Sequence, residues 1–151
     1  MNDTAPRYLA PKSRDLMFHR VLSTLIKAGI TMRGMRLLSV RGRKSGEPRS
    51  AVVGPLEVDG QLYLVAPRGN TQWARNLRAA GEGQLRLGRR VEHFTATEVA
   101  DADKPPVLRP YLKVWKEDIG VFFDGVDDNA PEAKLLEIAA NHPVFRLRVT
   151  S

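Results

Sequence analysis

Apolar residues recur along this chain with two different periods, and the switches between them mark out its elements. From Asp15 to Met32 the positions Phe18, Val21, Leu22, Leu25, Ile26 and Ile30 fall three and four apart, the spacing of one face of an α-helix. Ser13 is placed to cap this helix, Asp15 lies in its first turn and Gly29 comes near its end. Residues 13–33 therefore read as an N-terminal amphipathic helix, preceded by a flexible arm over residues 1–12. Period-two and short continuous apolar runs follow, and they predict strands at Leu37 to Arg41, Ser50 to Val58, Gln61 to Ala66, Gln84 to Leu87, Glu92 to Val99 and Val144 to Val149. Asp59-Gly60 is the sequence of a two-residue type I′ hairpin, and Gly88-Arg89-Arg90 turns a second hairpin. In Glu92 to Val99 the alternation leaves open which face is buried.

Helical signals punctuate these hairpins. Thr71 to Ala80 is a short helix closed by Gly81. Pro105-Pro106 opens a helix to about Lys116, with Pro110 early enough to be tolerated or to bend it. A last helix starts at an Asn129 cap, with Glu132 reaching back, and runs to Ala140 before His142-Pro143 stops it. About six strands and four helices result. The helices are scattered between hairpins, unlike the regular alternation of a doubly wound sheet. The expected class is α+β, mainly antiparallel β: a barrel with helices over its mouth, in one domain spanning residues 1–151.

Composition narrows the chemistry. The chain has no cysteine, which excludes disulfides, thiolate metal sites, iron–sulfur clusters and thiol catalysis together. His19, His93 and His142 are far apart and form no ligand-like or triad-like set, so each is expected to be structural or on the surface, and no metal is expected. Met1 to Ala10 lacks the apolar core of a signal peptide, and no apolar run approaches the roughly 20 residues that cross a bilayer. A cytoplasmic protein is expected. The basic amphipathic N-terminal helix could instead touch an anionic membrane from outside, although packing on its own sheet is the simpler fate.

Charge then points to the partner. The formal net charge is +7, with 24 Lys and Arg against 17 Asp and Glu. The cations concentrate in Arg33 to Arg49 and Arg68 to Arg90, so an anionic ligand is expected. Nucleic acid would call for aromatics interleaved with the basic residues, and Arg33 to Arg49 contains none. The densest site is Gly42-Arg43-Lys44-Ser45-Gly46-Glu47-Pro48-Arg49, between two apolar runs. Two glycines let its backbone approach a ligand, and its guanidinium forks and N–H groups suit anionic oxygens. An ordinary solvated hairpin turn uses the same residue types. A second signal lies downstream. Pro67-Arg68-Gly69-Asn70 feeds straight into the helix that carries Trp73 and Asn76, and a helix N-terminus after a glycine turn favours anions. Trp73 could stack on a flat heterocycle while Asn76, three residues on, hydrogen-bonds its edge; equally, Trp73 could be a core anchor.

With these motifs in order, the chain resembles the deazaflavin-dependent nitroreductase family, reductases that use coenzyme F-420 (a deazaflavin) and have a split β-barrel fold. The shared elements are Gly42-Arg43-Lys44-Ser45-Gly46 with Pro48-Arg49, the Asp59-Gly60 hairpin and Trp73-x-x-Asn76-Leu77, over roughly residues 36–100, and the ending Asn141-His142-Pro143-Val144-Phe145 looks like one branch of the family. The resemblance implies that Arg43, Lys44, Ser45, Gly46 and Arg49 bind the cofactor's phosphate and glutamate tail. It places Arg68, Gly69, Trp73 and Asn76 beside the deazaflavin ring. It also implies hydride transfer to a small-molecule acceptor that is flat and apolar, such as a quinone, an enone or a nitroaromatic, with no essential side-chain nucleophile. The proton for the reduced acceptor would come from Tyr111 or from bulk water. Tyr111 and Trp115, four apart on a late helix, either line a substrate pocket or belong to the core. FMN is the alternative cofactor, but its single phosphate uses fewer cations than the loop offers. A non-catalytic cofactor- or ligand-binding split barrel is the alternative function, supported by the absence of the tyrosine that family members often carry in the strand after the basic loop, here Val52 to Glu57. The resemblance leaves the protein a monomer or a homodimer.

Overall fold

The computed structural model describes residues 8, 9, 20, 25 and 34–150, with the side chains of 116–118 set aside. Seven strands form one antiparallel sheet: β1 (Arg36–Arg41), β2 (Pro48–Val53), β3 (Leu56–Val58), β4 (Gln61–Val65), β5 (Glu82–Leu87), β6 (Arg90–Glu98) and β7 (Val144–Val149). Their spatial order is β2-β1-β5-β6-β7-β4-β3. Here the two ends of the sheet, β2 and β3, are neighbours in the chain, separated by Gly54 and Pro55 alone. A flat seven-stranded sheet would hold its end strands roughly 29 Å apart, at about 4.8 Å per strand. The stretch from Val53 to Leu56 spans at most about 11 Å. The sheet must therefore curl, and the result is the split β-barrel of an α+β fold.

The expected single strand Ser50 to Val58 is thus two strands, which raises the count from about six to seven. Proline at 55 brings no N–H to a ladder. Gly54 lies where the indole of Trp115 meets the backbone: a Cβ there would stand 2.6 Å from Trp115 Cζ2. The break at Gly54-Pro55 makes the corner at which the chain leaves one edge of the sheet for the other.

Two cores flank the sheet. Inside the curl, Leu38, Val40, Val53, Leu64, Leu85, Phe94, Phe145 and Leu147 pack with Ala74 and Leu77 of the helix Gln72–Ala80. Phe94 is 1% exposed, which settles the ambiguous face of β6: Phe94 and Ala96 turn inward and Thr95 and Thr97 outward. On the other side, Leu56, Val65 and Val144 meet Val107, Leu108, Tyr111, Leu112 and Trp115 of the helix Pro105–Ile119, with Phe123, Leu135 and Ile138. Leu64 and Val65 thus serve different cores, as do Phe145 and Val144, and this is why β4 and the start of β7 read as continuous apolar runs.

Local signals fared unevenly. Asp59 and Gly60 both have positive φ, 51° and 78°, as a type I′ turn requires. Gly81 caps the Trp73 helix at φ 71°, its N–H bonding Leu77 O. The Pro105 helix runs on to Ile119 with Pro110 inside it. Asn129 does not cap the last helix. That helix spans Glu132–Ile138 with Pro131 at its N-cap, and the chain continues as a 3-10 turn, Ala139–Asn141. Asn129 instead donates its N–H to Asp127 Oδ1 at 2.9 Å in the preceding loop. His142 is fully buried, stacked 3.8 Å from the Phe123 ring, with Nδ1 3.0 Å from Pro67 O. Of the N-terminal helix, Arg20 and Leu25 are helical and the rest lies outside the described residues. Of the arm, Tyr8 bridges to Gly69 as an antiparallel pair and Leu9 N–H donates to Arg68 O at 2.7 Å.

Candidate functional site

The basic loop and the Trp73 helix form one surface because side chains tie them together. Between β1 and β2 the loop closes on itself: Gly42 N–H donates to Glu47 O at 2.8 Å and Gly46 N–H to Gly42 O at 2.9 Å. Gly46 sits at φ 75°, where glycine is favoured, and a Cβ on Gly42 would lie 3.0 Å from Ser45 Oγ and 3.1 Å from Glu47 O, so the turn closes tightly over Gly42. Ser45 Oγ accepts from Glu47 N–H at 3.1 Å and from Arg49 Nη2 at 3.2 Å. Lys44, Ser45, Gly46 and Arg49 are all exposed.

Arg43 behaves differently from its neighbours. Its backbone N–H and its Nη1 both donate to Asn76 Oδ1, at 3.1 and 2.8 Å, and Nη1 also reaches Gln72 Oε1 at 3.0 Å. The loop is thereby fixed to the first turns of the helix, 33 residues away in sequence. Asn76 is 4% exposed and its oxygen is committed to Arg43, so only its Nδ2 remains to meet a ligand. Sequence reasoning placed Arg43 and Asn76 in two different roles and gave no sign that they bond to each other.

The helix expected from Thr71 begins at Gln72. Thr71 is the N-cap, its Oγ1 accepting from Ala74 N–H at 3.3 Å. Gly69 has φ 100° and is buried, paired with Tyr8, so only glycine sits there without strain. Arg68 is drawn aside: its guanidinium lies 4.5 Å above the Phe122 ring, and Nη1 donates to Leu9 O at 3.3 Å. Trp73 is half-buried, its ring 6.1 Å from that of Phe145 and tilted by 51°, so the indole packs on the inner core and stays partly exposed.

A group that sequence reasoning missed completes this corner. Arg78 forks onto Glu98, with Nε to Oε1 at 2.6 Å and Nη2 to Oε2 at 2.7 Å, and its Nη1 donates to Asn70 Oδ1 at 2.9 Å. The hydrogen bonds to the Glu98 carboxylate raise the guanidinium above the ordinary arginine value, against a lesser desolvation that lowers it. Nothing in the one-dimensional pattern marks a contact between a helix C-terminus and the far end of β6. Tyr111 is 4% exposed and packs on Phe123 at 6.2 Å, and Trp115 is equally buried. Both therefore stand in the second core, away from the loop. A groove of roughly 710 Å³ crosses β4, β7 and β6 between Gln61, Thr95, Thr97, Arg146 and Arg148, and it shares no residue with the surface described above.

Comparison with known proteins decides the family. The sequence model of the F420H(2)-dependent quinone reductases matches residues 16–127. The chain belongs to this family. An F420-dependent reductase is accordingly the enzyme class, as the ordered motifs implied. Solved structures carry the same fold at low identity. An F420-H2 dependent reductase, FDR-A, is 20% identical with a TM-score of 0.53, covering 77% of this chain and 95% of that one. The protein Atu2129 of Agrobacterium tumefaciens, of unknown function, is 16% identical with a TM-score of 0.55 and 97% of this chain covered. This chain spans 60% of its length. The conserved hypothetical protein Rv2991 of Mycobacterium tuberculosis is 17% identical with a TM-score of 0.50, covering 98% of this chain and 87% of that one. No functionally curated protein matches this chain in sequence. Among the described residues, no helix is long and apolar enough to cross a membrane.

Proposed function

We propose that this member of the quinone reductase family binds coenzyme F-420 across the loop Gly42–Glu47 and the start of the Trp73 helix, and uses it to reduce a flat apolar acceptor. The observation that carries this reading is the Arg43–Asn76 tie. It joins the loop that carries the exposed cations Lys44 and Arg49 to the helix that carries Trp73, so charge for a polyanionic tail and an indole for a flat ring come from two elements bonded to each other. The residues present fit that ligand: Lys44 and Arg49 are exposed, and the Asn76 amide has its oxygen occupied and its amino group left for an acceptor atom.

The bound cofactor supplies the hydride; the chain supplies place and field. Lys44 and Arg49 hold the tail through charge-assisted hydrogen bonds, and Ser45 sets the Arg49 guanidinium. Arg43 acts through Asn76, fixing its amide and the angle between loop and helix. The positive end of the helix dipole favours anionic oxygens. Trp73 orients the ring by its edge. The proton that completes acceptor reduction comes from solvent, since Tyr111 lies in the second core. Quinones, enones and nitroaromatics are the acceptor classes. FMN is the weaker cofactor on this surface, having one phosphate for several cations.

The reading is tested by titrating the purified protein in parallel with coenzyme F-420, FMN and single-stranded DNA. Coenzyme F-420 is expected to bind tightest. Equal affinity for F-420 and FMN, or preference for DNA, would remove it. A second reading, a non-catalytic carrier of the same cofactor, rests on the missing tyrosine in Val52 to Glu57. It is separated from the first by turnover alone.

A further inference from the structure

The turn that leads into the Trp73 helix already has a partner within the chain. Tyr8 pairs with Gly69 as an isolated antiparallel bridge, Leu9 N–H donates to Arg68 O at 2.7 Å, and Arg68 Nη1 donates back to Leu9 O at 3.3 Å. Gly69, Asn70 and Thr71 are all buried, so this side of the helix start offers a ligand little surface while the pair is made. Arg75, in the first turn of the helix, has its guanidinium 5.9 Å from the Tyr8 ring, near the limit at which a cation and an aromatic face attract. Its Nε is buried and meets no hydrogen-bond acceptor. The pairing thus engages two cations that adjoin the helix start. It also leaves one of their donors unsatisfied, a cost that opening to water or to an anion would remove. Among the described residues the contact comprises one backbone hydrogen bond, one long side-chain bond and one distant ring contact, a set small enough to open.

We propose that Tyr8 and Leu9 form an autoinhibitory contact: they occupy the Arg68-Gly69 turn, and coenzyme F-420 displaces them to reach the helix start. The inference rests on the function proposed above and concerns the regulation of that same site. The open form is the one competent to bind, so the apparent affinity is the intrinsic affinity reduced by the fraction of molecules in which the contact is open. Linkage makes the effect reciprocal. Whatever loosens the contact strengthens cofactor binding, and cofactor binding loosens the contact. Opening also releases Arg75 from the Tyr8 ring, where the anionic groups of the cofactor can compete for it.

Fluorescence titration with coenzyme F-420 tests this in wild type, Tyr8→Phe, Tyr8→Ala and Leu9→Pro. Tyr8→Ala removes the ring from Arg75 and is expected to tighten binding about two- to fivefold. Leu9→Pro removes the N–H donated to Arg68 O and should tighten it about two- to tenfold. Tyr8→Phe keeps the ring and should bind as wild type does. Tighter binding is not a result that a damaged fold produces. A second measurement reads the contact itself. The chain has no cysteine, so Leu9→Cys carries the only thiol while keeping the backbone N–H and carbonyl of residue 9. Saturating F-420 should speed the reaction of that thiol with Ellman's reagent several-fold. Where Leu9→Pro fails to fold in thermal unfolding, Tyr8→Ala and the thiol rate decide. Weaker binding in a folded Tyr8→Ala variant would make the pair a wall of the site, and unchanged binding would leave it uncoupled. Either result overturns the inference while the proposed function stands, and so does a thiol that F-420 protects. Absence of deazaflavin binding in wild type and in every variant overturns the proposed function as well.

Discussion

At the scale of single residues, the two exposed cations of the loop carry the tail-binding expectation. Replacing Lys44 and Arg49 together by alanine should weaken coenzyme F-420 binding by about 1.5–3 kcal/mol for each charge-assisted hydrogen bond removed. The FMN affinity should fall less, and isothermal titration of both ligands measures the difference. Trp73→Ala should lower cofactor affinity and also stability, since the indole packs on Phe145 as well as facing outward. Unchanged affinity with lowered stability would make Trp73 a core residue only. The Arg78 guanidinium is held above its ordinary value by Glu98, so its share of stability is fully present below that ordinary value and is lost only as pH rises through the raised one. The stability difference between wild type and Arg78→Met, followed by urea unfolding, should therefore stay flat from about pH 7 to about pH 10. A fall in that difference within this range would contradict the pair as described.

At the scale of elements, the corner at Gly54-Pro55 is the most vulnerable joint. Gly54→Ala forces a methyl group to 2.6 Å from the Trp115 ring, and overpacking of this kind typically costs about 1–3 kcal/mol. Chemical denaturation should show that destabilisation, and Gly54→Ala with Trp115→Phe should recover part of it. The same corner marks the limit of what the pattern of residues could tell. Hairpin turns, the Trp73 helix with its Gly81 cap and the closing strand were legible because each depends on neighbours in sequence: both residues of Asp59-Gly60, for example, adopt the positive φ that their types favour. The break in Ser50 to Val58 was missed although Gly54-Pro55 is a local strand breaker; what lay outside local sequence is the indole of Trp115, far along the chain, packed against Gly54. Asn129 was misread for a local reason: its N–H bonds Asp127 Oδ1, two residues back, and Pro131 stands at the N-cap without a side-chain cap. The ordered motifs were enough to name the family. The wiring of the candidate site was hidden: the bonds from Arg43 to Asn76 and from Arg78 to Asn70 are made by the fold.

At the scale of the whole molecule, a net charge of +7 is distributed unevenly. Arg43, Arg68 and Arg78 are engaged within the protein, with an amide, an aromatic ring and a carboxylate, while Lys44 and Arg49 stay at the surface where an anion could reach them. The barrel, closed by a two-residue corner, holds the loop and the helix at a fixed distance, and that rigidity is what orientation of a hydride donor requires. The most direct measurement is stopped-flow mixing of the protein, loaded with reduced coenzyme F-420, against menadione. The protein is expected to accelerate reoxidation of the bound cofactor well beyond the rate without it, and the rate should fall in the Lys44→Ala/Arg49→Ala variant at subsaturating cofactor. A protein that binds reduced F-420 tightly yet never speeds its oxidation by quinone, enone or nitro acceptors would contradict it and make the molecule a carrier.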